Sequence, residues 1–228
     1  MREILESPEA VAIRGAEIFI ETVLGSQGSF SVLLSGGKTP EILYRELVRF
    51  KGKIPWERIC FFFGDERIVP QTNTESNFRL AYETLLKHVP IPKENIFPVP
   101  TELKDPQKIA VVYGQTIQKH FGDQTPAFDF VFLGMGADGH TASLFPDSNY
   151  VEESKAHELV IAPYVESQKK NRISVTLKVL NHSKKIVFLV TGTSKAPVLK
   201  VLAPPLPAAM VAPPRGQVIW LLDRAAVQ

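Results

Sequence analysis

Apolar and amphipathic stretches alternate along this chain from one end to the other. Ser7-Pro8 opens a first helix, because serine can cap and proline suits the first helical position. Val11, Gly15, Ile18, Phe19, Thr22 and Val23 then recur at helical spacing and turn one stripe toward a core. Residues 30–34 are a short strand-like run ending at Ser35-Gly36-Gly37. Thr39-Pro40 starts a second helix, capped by Thr39, that continues to about Phe50. Residues 59–63 form a continuous apolar strand, followed by the charged turn Gly64-Asp65-Glu66-Arg67. The pattern next predicts a helix over 75–88, with Phe78, Tyr82, Leu85 and Leu86 inward, and another over 107–121. Residues 128–133 read as a buried strand leading into a glycine-rich segment that ends at His140. Further strands are expected over 159–162, 172–177, 185–191 and 218–222.

Strands that are apolar on both faces and separated by helices predict an α/β fold. The expected architecture is a mainly parallel, doubly wound, Rossmann-like sheet with helices on both faces, with room for a small second lobe. The 228 residues suit a single domain spanning 1–228. The proline-rich stretch 196–216 reads as a short helix after Lys195 and an irregular loop returning to the last strand. In such sheets ligands bind beyond the carboxyl ends of the strands, and the polar, glycine-rich segments all fall there.

Composition narrows the choice. With 44% apolar and 22% charged residues, disorder and fibrous structure are poor descriptions. The net charge of +2 comes with scattered lysines, the pairs Lys169-Lys170 and Lys184-Lys185 reading as solvated surface, so no nucleic-acid partner is expected. No run approaches the ~20 apolar residues of a membrane span. Charges within Met1-Arg2-Glu3-Ile4-Leu5-Glu6 argue against a signal peptide, so a cytoplasmic protein is expected. The single cysteine, Cys60, lies in an apolar run and reads as a buried, inert thiol. The histidines (His88, His120, His140, His157 and His182) are isolated, and no Cys/His spacing matches a metal cage, so no metal is expected.

Candidate chemistry sits at the strand ends. In Ser35-Gly36-Gly37-Lys38-Thr39-Pro40, two glycines allow a sharp turn and close approach to a ligand, with a helix start beyond them. Unpaired N–H groups and the positive helix end there suit a phosphate, although an ordinary strand-to-helix turn has the same signature. It is no nucleotide P-loop, because Val32 stands where that motif needs its first glycine. Gly134-Met135-Gly136-Ala137-Asp138-Gly139 has dinucleotide-fingerprint spacing, but Pro146 stops the long helix that fingerprint requires. Asp138, two residues before His140, can fix the imidazole tautomer and raise its basicity toward water. Asp65-Glu66-Arg67 can orient a hydroxyl or hold an anion, or be a solvated turn. Arg172 and Lys195 offer cations beside the same strand ends. No Gly-x-Ser-x-Gly elbow supports serine hydrolase chemistry.

Taken in order, these segments resemble the 6-phosphogluconolactonase family, relatives of glucosamine-6-phosphate isomerases. The matching pieces are 34–40, 64–67, 75–79, 133–146, 172–176, 192–195 and 220–226. The resemblance implies cofactor-free hydrolysis of a small sugar-phosphate lactone, and a monomer is expected. It makes His140 the general base supported by Asp138, and gives the phosphate to Ser35, Gly36, Gly37, Thr39 and Lys195. Lys38, Asp65 and Gly136 are expected to line the substrate site. Arg67 and Arg172 would hold the sugar acid or the developing oxyanion. The isomerase branch carries a glutamate five residues after the histidine, where this chain has Phe145. That difference, with Arg67 standing where those relatives tend to have tyrosine, favours the lactonase over a deaminase/isomerase or a non-catalytic sugar-phosphate-binding module.

Overall fold

The computed structural model describes residues 1–150 and 158–228, so His157 lies outside the described residues. Strand β1 (Arg2–Leu5) leads into helix α1 (Pro8–Leu24), where Ser7 Oγ accepts from Ala10 N at 3.3 Å. Strand β2 (Phe30–Leu34), helix α2 (Lys38–Arg49) and strand β3 (Ile59–Phe63) follow. Next come β4 (Asp65–Arg67), α3 (Asn77–Thr84), β5 (Ile96–Phe97), α4 (Pro106–Phe121) and β6 (Phe130–Leu133). Beyond the break lie β7 (Val160–Ile161), β8 (Tyr164–Val165), β9 (Lys170–Val175), β10 (Lys185–Val190) and β11 (Gln217–Asp223).

The main sheet has seven strands in the order β1-β11-β10-β6-β2-β3-β5, and every pairing is parallel. Strands β2, β3 and β6 are buried along their whole length, which explains their unbroken apolar runs. Phe19 of α1 packs on Phe30 and Phe130 on one face of the sheet. On the other face Phe62 stacks on Phe97 at 4.4 Å and meets His120 of α4. Helices therefore cover both faces, as the doubly wound expectation requires. Gly15 belongs to the α1 stripe because a Cβ there would meet Leu43 at 2.7 Å and Leu189 at 3.1 Å. Its absence lets α1 approach both α2 and the sheet.

Several expectations are corrected. The strands read over 159–162 and 172–177 do not join the parallel sheet. They form, with the supposed turn 65–67, a small antiparallel sheet in the order β4-β9-β7, with β8 paired to β9. The charged terminus carries a strand, β1, that its charges conceal. It is an edge strand with alternating exposure, where polar residues are tolerated. Helix α2 starts one residue before Thr39, with Gly37 at φ 112° as its N-cap and no side-chain cap. The Thr39 hydroxyl instead meets Thr191 Oγ1 at 2.7 Å. Helix α3 begins at Asn77, and Tyr82, expected inside, is 43% exposed and stacks on Phe78 at the surface. Cys60 is buried, and burial pushes its thiol pKa up. Among the described residues no helix is long and apolar enough to cross a membrane.

Candidate active site

A cavity of ≈ 430 Å³ opens at the carboxyl ends of β2, β3, β6 and β10. His140 and every residue expected to bind substrate line it; Asp138 does not, and lies instead against the imidazole. Its first wall is the loop after β2. Ser35 lies one residue beyond the strand, and the fully buried Tyr44 of α2 holds both its backbone groups. Gly36 and Gly37 then carry the chain into α2. The N–H groups of Lys38 and Thr39 at the helix start have no acceptor among the described residues. Gly36 packs against the Asn77 carboxamide so closely that a Cβ would sit 1.9 Å from Oδ1.

The loop after β6 carries a carboxylate–imidazole pair. His140 Nδ1 meets Asp138 Oδ1 at 2.6 Å, and the same oxygen accepts the His140 backbone N–H at 3.1 Å. With Nδ1 occupied, Nε2 is the nitrogen left to take a proton. Phe145 stacks on the imidazole at 3.9 Å. Gly136 N donates to His140 O at 2.9 Å, and a Cβ on Gly136 would fall between the ring and the carboxylate. The proline-rich stretch, whose relation to the site was not legible, supports this loop from outside. Leu206 packs on Gly139, and Ala208 N donates to Gly139 O at 3.0 Å.

The third wall is cationic. Arg67 and Arg172 face each other in register across β4 and β9. Arg172 donates to Gln168 Oε1 from Nε at 2.9 Å and from its terminal nitrogen, while Arg67 donates to Glu75 O at 2.7 Å. Burial, then the charge of Arg67, lowers the Arg172 pKa below its ordinary value. Lys195 sits in a 3-10 turn after β10, and burial lowers its pKa, opposed by Asp138. Neither arginine nor Lys195 has an ion-pair partner among the described residues. Asp65 is held by Ser143 Oγ at 2.6 Å and Asn77 Nδ2 at 3.1 Å. Glu66 turns the other way: its buried carboxylate accepts the N–H groups of Asn77 and Phe78, each at 2.8 Å, and serves the fold.

Residues 6–220 match the family model of glucosamine-6-phosphate isomerases/6-phosphogluconolactonase. The chain belongs to this family. A 6-phosphogluconolactonase of Nostoc sp. is 36% identical over 98% of this chain and 95% of its own length. The human 6-phosphogluconolactonase is 38% identical over 90% of this chain and 82% of its own. The crystal structure of 6-phosphogluconolactonase from Thermotoga maritima superposes with a TM-score of 0.85 at 32% identity, covering 98% of this chain and 99% of that one.

Within this family frame, four cavity residues with polar side chains escaped sequence reasoning: Asn77, Ser143, Gln168 and Thr191. Asn77 and Ser143 lie inside segments quoted for the resemblance, but amide and hydroxyl residues announce no role without their partners. Asp223, in the closing family segment, accepts Gly192 N at 3.0 Å and so fixes the loop that carries Lys195. Among the described residues no cluster of three or more His, Cys, Asp or Glu side chains could hold a metal ion.

Proposed function

We propose that this chain hydrolyses 6-phospho-D-glucono-1,5-lactone to 6-phosphogluconate, a carboxylic ester hydrolysis of the oxidative pentose phosphate pathway. The observation that carries the reading is His140, backed by Asp138 at 2.6 Å, in one cavity with the glycine-rich loop and an unpaired half-buried lysine. The family and its 6-phosphogluconolactonase relatives support the same substrate class.

In this mechanism the phosphate rests on the N–H groups of the 36–39 loop and on the Lys195 ammonium. His140 Nε2 takes a proton from water as the water oxygen bonds to C1 of the lactone. The C1 carbonyl electrons move onto oxygen, and Arg67 and Arg172 steady the charge. The intermediate collapses, the bond from C1 to the ring oxygen breaks, and that oxygen leaves with the proton held by His140. Asp138 orients the ring throughout and stabilises the imidazolium. Phe145, stacked on His140 where the isomerase branch carries its glutamate, has no proton to move. That contact favours the lactonase over the deaminase.

The test is the decay of freshly made 6-phosphoglucono-δ-lactone with purified protein, against spontaneous hydrolysis, with and without EDTA. The expected result is accelerated decay unaffected by EDTA. Decay no faster than buffer overturns the proposal. Ammonia release from glucosamine 6-phosphate would then favour the deaminase, and ligand-induced stabilisation without turnover a binding module.

A further inference from the structure

The residues that grip a phosphate are backbone groups, so something must hold that backbone. Pairing of β2 stops at Leu34 with β3 and at Leu33 with β6, which leaves the Ser35 N–H and C=O beyond the sheet. Tyr44 takes both: its phenol accepts from Ser35 N at 3.0 Å and donates to Ser35 O at 2.6 Å. The same side chain belongs to α2, the helix whose first residues line the cavity. One phenol thus ties the start of the loop to the helix at its end. Only Gly36 and Gly37 lie between, and the Asn77 carboxamide closes against the first of them.

We infer that Tyr44 is the positioning residue of the phosphate grip, setting where the Gly36–Thr39 N–H groups point without touching the ligand; this rests on the phosphate reading above. Burial pushes the phenol well above its ordinary pKa, so it remains a donor at every working pH. The fold supplies a matched control. Tyr113 of α4, equally buried, accepts from Phe63 N at 2.7 Å and donates to Phe63 O at 3.1 Å, at the end of β3 rather than at the phosphate loop.

The experiment measures binding of 6-phosphogluconate and of gluconate by calorimetry, with KM and kcat on phosphorylated and plain lactone, for the wild type, Tyr44→Phe and Tyr113→Phe. Tyr44→Phe should weaken 6-phosphogluconate by about fivefold to tenfold, the scale of one well-aligned hydrogen bond. Gluconate binding and kcat should stay within about twofold. Tyr113→Phe should lower thermal stability comparably and act alike on phosphorylated and plain ligands. Equal effects of Tyr44→Phe on both ligands, or a phosphate-selective loss in Tyr113→Phe, overturn the inference. A selective loss in a protein that does not turn over the lactone leaves Tyr44 in place and removes the hydrolase reading. Amide exchange in the wild type tests the same point without a variant. Inorganic phosphate should slow Gly36–Thr39 and leave Ser35, already bonded to Tyr44, unchanged. Protection of Ser35 only when phosphate is added overturns the inference.

Discussion

Replacing Gly136 with alanine probes the Asp138–His140 pair by adding one methyl group. Gly136 does not have positive φ, so alanine fits the backbone there. The obstacle is lateral: the added Cβ would lie 2.1 Å from His140 Nδ1 and 2.3 Å from Asp138 Oδ1. Cβ atoms essentially never approach a neighbour closer than 3.0 Å, so the ring must retreat by about 0.9 Å and the carboxylate by about 0.7 Å. Displacements of that size take the 2.6 Å contact out of its present alignment. A catalytic group misplaced by about 1 Å costs on the order of 10²-fold in rate, about 2.7 kcal/mol of barrier. Gly136→Ala should therefore lower kcat on 6-phosphoglucono-δ-lactone about 10²-fold. The melting temperature should move by only a few degrees, roughly what a 1 kcal/mol change produces. The assay is lactone decay under saturating substrate, corrected for spontaneous hydrolysis, beside a thermal melt. A kcat within about threefold of wild type, well short of the misplacement cost, would refute the reasoning. It would mean that the Asp138–His140 contact is not needed for the chemistry.

The remaining expectations are simpler. His140→Ala should lower kcat by about 10²–10⁴-fold with a modest change in KM; a near-native kcat would remove His140 as the base. Lys195→Ala should harm turnover of the phosphorylated lactone much more than of plain gluconolactone, and equal losses would give Lys195 another task. His120 is packed among Phe62, Phe97 and Phe121, and burial lowers its pKa below 6.5, with Asp129 opposing. The unfolded chain then binds more protons than the folded one as pH falls below 6.5. The stability tied to this residue is complete above that pH and lost as pH drops through the folded pKa. His120→Phe should flatten the melting temperature against pH in that window; an unchanged slope would show that His120 contributes nothing to it.

Much of the fold was legible because buried parallel strands print as unbroken apolar runs, as in 30–34 and 59–63, and glycine or capping residues mark where they stop. The small antiparallel sheet was not. The stretches 159–162 and 172–177 read as strands, but nothing in their pattern told that they pair apart from the main sheet, and β4, only three residues long and wholly charged, looks like a turn. Strand β1 was hidden for a related reason, since an edge needs few apolar side chains. At the site, charged and imidazole residues drew notice because their chemistry is intrinsic. Asn77, Ser143 and Tyr44 did not, because an amide, an alcohol or a phenol acquires its task from the partner the fold brings to it. Thr39 shows the converse. Its identity and position suggested a cap, but the glycine before the helix took that place and freed the hydroxyl for Thr191.

The parallel order of the main sheet has a consequence for how activity is lost. Ser35, His140 and Lys195 meet in one cavity, yet they follow β2, β6 and β10 at separate points spread over most of the chain. Parallel neighbours need crossovers rather than hairpins, so no short fragment can assemble this constellation by local pairing. A crossover that fails to fold leaves the strand beyond it, and the side chain that follows that strand, out of the cavity. Turnover of the lactone is thus a readout of the integrity of the whole sheet, and partially folded molecules will be silent in it rather than slow.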